Sequence, residues 1–210
     1  MTRQRTLGAV FYDKFELLDN YGPLEMFGSV GPDLRIVTVA EKAGPVASVQ
    51  GPQTVAEYGY ANCPRLDLIL LPGGIGTLEQ LGNAATHAFL RERAASAEVT
   101  MSVCSGSAIL AKAGLLDGRR ATSNKQFFDL ARMQSDKVEW VTAARWVEDG
   151  PFATSSGVSA GTDMALAMIA KLWGRERAER IAIETEYTWH RDADRDPFAQ
   201  YLDQEMKPPA

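Results

Sequence analysis

The stretch from Val99 to Ala111 constrains the fold more than any other part of the chain. It opens with a β-branched run typical of a buried strand, passes Cys104 between small residues, and continues as an Ala/Leu-rich helical pattern. A sharp strand-to-helix turn leaves the residue at the bend beside the free N–H groups of the helix. Because the positive end of a helix favours a thiolate, the stretch predicts that Cys104 is a nucleophile with a lowered pKa. The alternative is a small buried residue required by a tight turn.

Strands and helices alternate along the rest of the chain. Apolar runs at 6–12, 34–39 and 66–71 predict three further buried strands. Between the first two runs we expect a short helix that begins at Pro23, because proline suits the first helical position. Such closely spaced β-α-β units favour a parallel sheet. The sequence therefore predicts an α/β fold, a three-layer flavodoxin-like sandwich with a mostly parallel central sheet and a cysteine nucleophile elbow.

Three loops of unusual composition follow predicted strands, at 19–23, 72–74 and 103–106. Ligand sites in parallel sheets lie outside the carboxyl ends of the strands, so these loops meet if their strands are neighbours. Gly74 has no Cβ, and its backbone N–H can therefore approach a ligand closely. Asp19 has two interpretations, an acid in the site or an N-cap for the helix entered at Pro23.

Composition excludes several classes of protein. The 210 residues fit one domain, and the net charge of −5 without a Lys/Arg-rich run argues against a nucleic-acid partner. No apolar segment approaches the ~20 residues that span a bilayer, so no membrane association is expected. Cys63 and Cys104 form no CxxC pair, and His87 and His190 are the only histidines. We therefore expect no disulfide framework, no metal site, no cofactor and a cytoplasmic location.

We expect residues 1–210 to form a single domain, in which residues 187–210 are a C-terminal tail that packs on the rest. The tail is polar, with helical turns expected around Phe198 to Met206. His190 lies in an aromatic, charged part of it, and could fold over the site or pack at a dimer interface.

Five motifs carry a family resemblance: Leu18-Asp19 with Gly22-Pro23-Leu24-Glu25, Leu71 to Gly74, Ser102 to Gly106, Ala113 to Thr122, and Ser159 to Asp163. In this order they resemble the ThiJ/PfpI superfamily, which has the class I glutamine amidotransferase-like fold. The pattern is most similar to isonitrile hydratases and to the sensor domains of AraC-like regulators. It runs from about Leu7 to about Trp173.

The resemblance implies a role for each matching residue. Cys104 is the nucleophile, Asp19 the acid that contacts its sulfur, and the N–H groups of Gly74 and Ser105 the oxyanion hole. Where many relatives carry a histidine this chain has Asn124, which cannot accept a proton at neutral pH, so a peptidase-like Cys–His pair is not expected. Candidate substrate-binding residues are Gly73, Ile75, Asn124 and His190. A homodimer acting on a small molecule is also implied.

The predicted chemistry starts from Cys104 and Asp19 sharing one proton and titrating as a unit. Such a pair suits addition of sulfur to an isonitrile, giving a thioimidate that water converts to an N-substituted formamide. Two alternatives stay open. The same thiol could serve a non-catalytic redox or ligand sensor, or the chain could have another activity of the superfamily, such as that of a glyoxalase or an amidase.

Overall fold

A seven-stranded sheet forms the centre of the protein in the computed structural model, which describes residues 3–202. The strands of this sheet and of two small two-stranded sheets are β1 (Arg5–Val10), β2 (Leu34–Ala40), β3 (Gly44–Ala47), β4 (Gln53–Ala56), β5 (Tyr58–Gly59), β6 (Leu68–Leu71), β7 (Val99–Ser102), β8 (Arg120–Ala121), β9 (Glu139–Trp140), β10 (Trp146–Asp149) and β11 (Phe152–Ser155). The central sheet has the order β10-β11-β7-β6-β1-β2-β5, and its neighbours are parallel except for the β10–β11 hairpin.

Helices cover both faces of the sheet. They are α1 (Leu17–Gly28), α2 (Thr77–Gln80), α3 (Ala84–Ala94), α4 (Gly106–Lys112), α5 (Phe128–Arg132), α6 (Ala160–Trp173) and α7 (Arg175–Glu184). Side chains alternate along a strand, so Leu68 and Leu70 of β6 pack with α1, α6 and α7, whereas Ile69 and Leu71 pack with α3 and α4. The prediction of a three-layer α/β sandwich with a mostly parallel sheet is confirmed. Within residues 3–202, no helix is long and apolar enough to cross a membrane.

The sheet order brings the predicted loops to one edge. β7, β6 and β1 are adjacent, and Leu71 at the end of β6 pairs with Ser102 at the end of β7. β11 lies on the other side of β7, so Ser156 emerges beside the same edge. The segments that carry Asp19, Gly73 and Cys104 therefore start at neighbouring carboxyl ends, as expected.

The predicted helix start at Pro23 is wrong, because α1 begins at Leu17 and contains Pro23 in its interior. A turn at residues 13–16 makes the earlier start possible. The Glu16 N–H donates to Gly73 O at 2.9 Å, and the Gly76 N–H donates to Lys14 O at 3.0 Å. Tertiary contacts thus outweigh the preference of proline for the first helical position, although its missing N–H leaves a gap in the helical ladder. As a result Asp19 lies in the first turn of a helix and not in a loop.

Residues 187–202 run across the body of the protein after α7. They include one 3-10 turn at Pro197–Tyr201. The remainder of the helical region expected around Phe198 to Met206 lies outside the described residues.

Candidate active site

Cys104 occupies the bend between β7 and α4 in a left-handed backbone conformation, with φ of 58°. A residue with a side chain adopts this conformation only where the surrounding structure enforces it. Here the Cys104 N–H donates to Ser156 O at 3.1 Å, and the Gly106 N–H closes the turn onto Val103 O at 3.0 Å. Cys104 is only 7% exposed. The predicted elbow is present, and its thiol lies almost completely below the surface.

Two glycines allow the elbow to pack on the end of β6. A Cβ on Gly73 would lie 2.6 Å from the Ser105 nitrogen and 2.9 Å from the Cys104 Cβ. A Cβ on Gly106 would lie 2.6 Å from Pro72 O. Contacts this short are overpacked, so only glycine fits at both positions without a backbone shift. Gly73 therefore contacts the nucleophile through its backbone.

Asp19 is completely buried on α1, and Glu16 rather than Asp19 is the N-cap residue of that helix. Its Oδ2 accepts the Gly73 N–H at 2.7 Å. Its Oδ1 is buried and accepts no hydrogen bond of conventional geometry from residues 3–202. The N-cap interpretation of Asp19 is thus wrong. The free carboxyl oxygen is the one available to hold a proton.

Burial dominates the acid–base properties of the pair. It raises the pKa of Asp19 to about 7, although the Gly73 amide counteracts part of this effect. Burial also raises the pKa of the Cys104 thiol well above its ordinary value, and the nearby Asp19 carboxylate raises it further. Hydrogen bonds from Ser105 and Asn124 act in the opposite direction. The lowered thiol pKa expected from the helix end is therefore wrong, because α4 has only 7 residues and burial outweighs its N-terminus.

These shifts take the pair from two protons to one as the pH rises through about 7. The first proton leaves near pH 7, where the Asp19 pKa lies, and the second is held to well above that pH. Because the two groups perturb each other, they titrate as a unit, and transfer of the remaining proton from sulfur to oxygen gives a thiolate beside a carboxyl group. Such a pair can place a nucleophilic sulfur beside a protonated carboxyl group.

Asn124 donates to the thiol sulfur from the other side. Its Nδ2 lies 3.2 Å from Cys104 Sγ. Its Oδ1 accepts the N–H groups of Gln126 and Phe127 at 2.9 and 3.2 Å, which fixes the amide nitrogen towards the sulfur. A Cβ on Gly157 would lie 2.5 Å from this nitrogen, so the loop after β11 holds the amide in place. Asn124 is therefore a hydrogen-bond donor to sulfur and not a base.

A chain of buried hydroxyl groups, which the sequence did not indicate, supports Ser105. Tyr12 OH donates to Pro72 O at 2.7 Å and lies 3.1 Å from Thr77 Oγ1, which lies 2.9 Å from Ser105 Oγ. Tyr12 has one hydroxyl proton and gives it to Pro72. Thr77 must therefore donate to Tyr12, and Ser105 to Thr77. The Ser105 oxygen is left to accept the Gly74 N–H, at 3.2 Å.

The hydroxyl chain affects the predicted oxyanion hole. The Gly74 N–H already donates to Ser105, so it becomes available to a substrate only if that hydroxyl moves. The Gly73 N–H is likewise engaged, in its case with Asp19. Ser105 donates its backbone N–H towards the thiol itself. Ile75 follows Gly74 as an exposed side chain at the surface.

His190 does not contact the thiol. Its backbone N–H donates to Asp163 Oδ1 at 2.9 Å, and its Nδ1 is buried without a partner in residues 3–202. The groups that bond to or perturb the Cys104 thiol are Asp19, Ser105 and Asn124. In the described part of the chain the site thus contains an acid and an amide beside the cysteine, but no histidine. Residues 3–202 also hold no cluster of three His, Cys, Asp or Glu that could bind a metal.

A cavity of about 230 Å³ lies beside the pair. Its inner side is formed by Asn124, Ser156 and Val158, and its outer side by Phe198 and Tyr201 of the 3-10 turn. The volume is below the roughly 300 Å³ at which pockets for drug-sized ligands begin. The cavity therefore fits a small molecule.

Known proteins resemble this chain over most of its length. The sequence profile of the DJ-1/PfpI family matches residues 6–171. The isonitrile hydratase of Pseudomonas putida is 34% identical over 186 residues, which cover 86% of this chain and 78% of the hydratase. The HTH-type transcriptional regulator GbdR of Pseudomonas aeruginosa is 28% identical over 180 residues, which cover 80% of this chain but 48% of the regulator.

Solved structures agree with the sequence matches. The crystal structure of a ThiJ/PfpI family protein from Pseudomonas syringae superposes with a TM-score of 0.80 and 38% sequence identity, over 92% of this chain and 77% of that chain. Asp19, Cys104 and Asn124 lie within the residues that the family profile matches, whereas Phe198 and Tyr201 lie beyond them.

Proposed function

The chain belongs to the DJ-1/PfpI family, and we propose that it is a cysteine-dependent hydratase that converts an isonitrile to an N-substituted formamide. The observation that carries this proposal is the buried Cys104–Asp19 pair, whose two groups perturb each other's pKa and which has no histidine bonded to it. Peptide or amide cleavage needs a group that protonates a leaving amine, usually a histidine. Hydration of an isonitrile has no leaving group. It needs a nucleophile and one proton carrier, which are the two groups that the site supplies.

In the first step Cys104 Sγ forms a bond to the terminal carbon of the isonitrile. Asp19 gives its proton to the same carbon, so the product is a thioimidate in which a C=N bond joins that carbon to the substituted nitrogen. Asp19 is then ionised. The Asn124 amide donates to the sulfur and stabilises the thiolate that makes the attack, because hydrogen bonds to a charged acceptor are stronger than those to a neutral one.

In the second step water adds to the thioimidate carbon. Asp19 takes the proton from the water and passes it to the nitrogen, which leaves a carbon bonded to sulfur, hydroxyl and NH. Collapse breaks the carbon–sulfur bond, forms the C=O of the formamide, and returns the hydroxyl proton to Asp19. The pair ends with the same single proton with which it began. The sum is one isonitrile plus one water to one formamide.

The test is incubation of the purified protein with benzyl isonitrile and, separately, with an α-oxoaldehyde, with products followed by NMR. We expect N-benzylformamide from the wild type and none from Cys104→Ala. Conversion of the α-oxoaldehyde alone would instead identify a glyoxalase-type activity. Absence of formamide from an otherwise folded wild-type protein would refute the isonitrile assignment.

A thiol-based ligand or redox sensor is the second candidate, favoured by the similarity to the regulator GbdR. A sensor would modify Cys104 once and would not turn over. Mass spectrometry after mild peroxide, compared with the turnover assay, separates the two. Stoichiometric oxidation of Cys104 without conversion of any substrate favours the sensor.

We also propose that the protein is a homodimer. Exposed apolar side chains lie on α1 and on the Gly74–Gln80 segment that packs against residues 13–16, namely Leu18, Tyr21, Ile75 and Leu78. Exposed large apolar side chains on neighbouring segments are typical of an interface. Light scattering should give twice the mass of one chain, 22.9 kDa, and Leu18→Glu should give the single-chain mass. The two unpaired cysteines suit a reducing compartment, and we place the protein in the cytoplasm.

A further inference from the structure

The cavity lies next to the reacting pair and is lined by the residues that bond to it, while Cys104 and Asp19 lie behind this lining. Three of its lining residues are bonded to that pair: Asn124 Nδ2 lies 3.2 Å from Cys104 Sγ, Ser156 O accepts the Cys104 N–H, and the Val158 backbone interacts with the Asp19 carboxylate. A molecule held in this cavity therefore lies beside the groups that bond to the sulfur and to the carboxylate.

The outer wall of the cavity is aromatic and comes from the tail. Phe198 is 52% exposed and Tyr201 is 45% exposed, and their ring centroids lie 6.4 Å apart. Two large aromatic side chains on one short turn, half open to a cavity, form a surface that an apolar group would cover. The other lining residues are mostly polar or small, including Lys125, Gln126 and Ser159. The apolar part of a ligand therefore has one side of the cavity on which to pack.

A buried ionic cluster, made of Lys125, Arg145, Asp163 and Asp196, fixes this wall to the body of the protein. Arg145 Nε lies 2.7 Å from Asp163 Oδ2, and its Nη1 lies 3.5 Å from Asp196 Oδ1. Lys125 Nζ lies 3.6 Å from Asp196 Oδ2. The side chains of all four are at most 7% exposed. Two positive and two negative groups balance, which is the condition under which buried charges are tolerated.

The ionic cluster also connects the tail to the thiol. Asp196 accepts the Phe198 N–H at 3.1 Å through its Oδ1, so the residue that joins the cluster also starts the aromatic turn. Lys125 follows Asn124, the donor to the sulfur. One set of contacts thus sets the distance between the aromatic wall and the nucleophile.

We propose that Phe198 and Tyr201 form the substituent subsite of the enzyme, which selects substrates that carry an aryl or branched alkyl group on the reactive function. The proposal rests on the proposed function for the identity of that reactive group. What is new is the chemical class of the substituent. The two residues proposed to bind that substituent lie beyond those matched by the family profile.

The first test compares kcat/KM for benzyl isonitrile and methyl isonitrile. Phe198→Ala should lower the benzyl-to-methyl ratio about tenfold, the effect expected when part of an apolar pocket wall is removed. The matched control is Met133→Ala, an exposed apolar side chain outside the cavity, which should leave the ratio unchanged. An unchanged ratio in Phe198→Ala overturns the proposal, and so does an equal loss for both substrates.

A second measurement tests the aromatic wall of the cavity independently of the hydration reaction. Peptide-resolved mass spectrometry measures alkylation of Cys104 by iodoacetamide and by N-benzyl iodoacetamide, which needs the thiol and the cavity but no hydratase turnover. We expect the wild type to prefer the benzyl reagent and both Phe198→Ala and Tyr201→Ala to lose that preference. If no isonitrile is hydrated but the preference is present and lost in the variants, the proposed function fails and the subsite stands. If the wild type shows no preference for the benzyl reagent, the subsite fails.

Discussion

The amide nitrogen of Asn124 donates to Cys104 Sγ at 3.2 Å, while the amide oxygen is held by two backbone N–H groups. The sulfur thus faces a fixed donor on one side and Asp19 on the other. A donor stabilises negative charge on sulfur but moves no proton. Asp19 is consequently the proton carrier in the proposed mechanism.

Asn124→Asp provides a sharp test of this arrangement, because it keeps an oxygen for the turn and replaces the donor by a carboxylate. A second negative charge at the sulfur raises the thiol pKa further, so kcat/KM for benzyl isonitrile should fall about 100-fold or more. Asn124→Ala loses the donor and the turn oxygen but adds no charge, and its kcat/KM should fall about tenfold, the smaller effect of losing hydrogen bonds alone. Steady-state kinetics on both variants checks that kcat/KM falls further in Asn124→Asp than in Asn124→Ala. Equal rates for the two variants would contradict it.

Asp19 makes folding stability depend on pH with a definite sign. Burial raises its pKa from an ordinary 3.8 to about 7, so the folded state holds the carboxyl proton more tightly than the unfolded chain does. The wild type is therefore most stable relative to Asp19→Asn below pH 3.8, and it loses that advantage as pH rises towards 7. The difference between 3.8 and about 7 corresponds to roughly 4 kcal/mol. Urea unfolding of both proteins at pH 4 and pH 8 measures the change, and a pH-independent difference would contradict the buried, protonated acid.

Gly73→Ala should damage the elbow itself. Its new Cβ would lie 2.6 Å from the Ser105 nitrogen, and overpacking of this kind costs about 1–3 kcal/mol. Thermal unfolding should show that loss together with a reduced rate of Cys104 alkylation. Gly82→Ala is the matched control, since its Cβ would lie 3.7 Å from the nearest atom and fits. A Gly73→Ala protein as stable as the Gly82→Ala protein would argue against close packing at the elbow.

Asp196→Asn should loosen the tail without touching the thiol. It removes one charge from the buried cluster and leaves Lys125 and Arg145 with Asp163 alone, and breaking a buried ion pair costs about 3 kcal/mol. Hydrogen exchange of residues 193–202 should accelerate selectively. Asp117→Asn, which breaks an exposed pair with Lys137, should change little. Unaltered exchange in the tail of Asp196→Asn would show that the ionic cluster does not hold it.

Much of the fold could be predicted because local patterns determine it. The continuous apolar run before Pro72-Gly73-Gly74 is buried on both faces of the sheet. The Ala/Leu pattern after Cys104 is typical of a helix. Parallel strands then bring the loops together without further information. Asp19 and Cys104 could be paired in this way, although they lie 85 residues apart in the sequence.

The remainder depends on packing between distant segments. The start of α1 is decided by backbone contacts of residues 13–16 with Gly73 and Gly76, which outweigh the signal at Pro23. The thiol pKa depends on burial depth, and no local pattern reports that. The tail is held by Arg145, Asp163 and Asp196, three charged residues that individually look like ordinary surface positions in the sequence.

In the proposed mechanism Cys104 adds to the substrate and Asp19 carries the proton. A direct test is rapid quenching of the protein during turnover of benzyl isonitrile, followed by mass spectrometry of the peptide that contains Cys104. We expect a transient adduct on Cys104 with the mass of one isonitrile, and slower formation and decay of that adduct in Asp19→Asn. Formamide production with Cys104 unmodified throughout, or at an undiminished rate in Cys104→Ala, would contradict it.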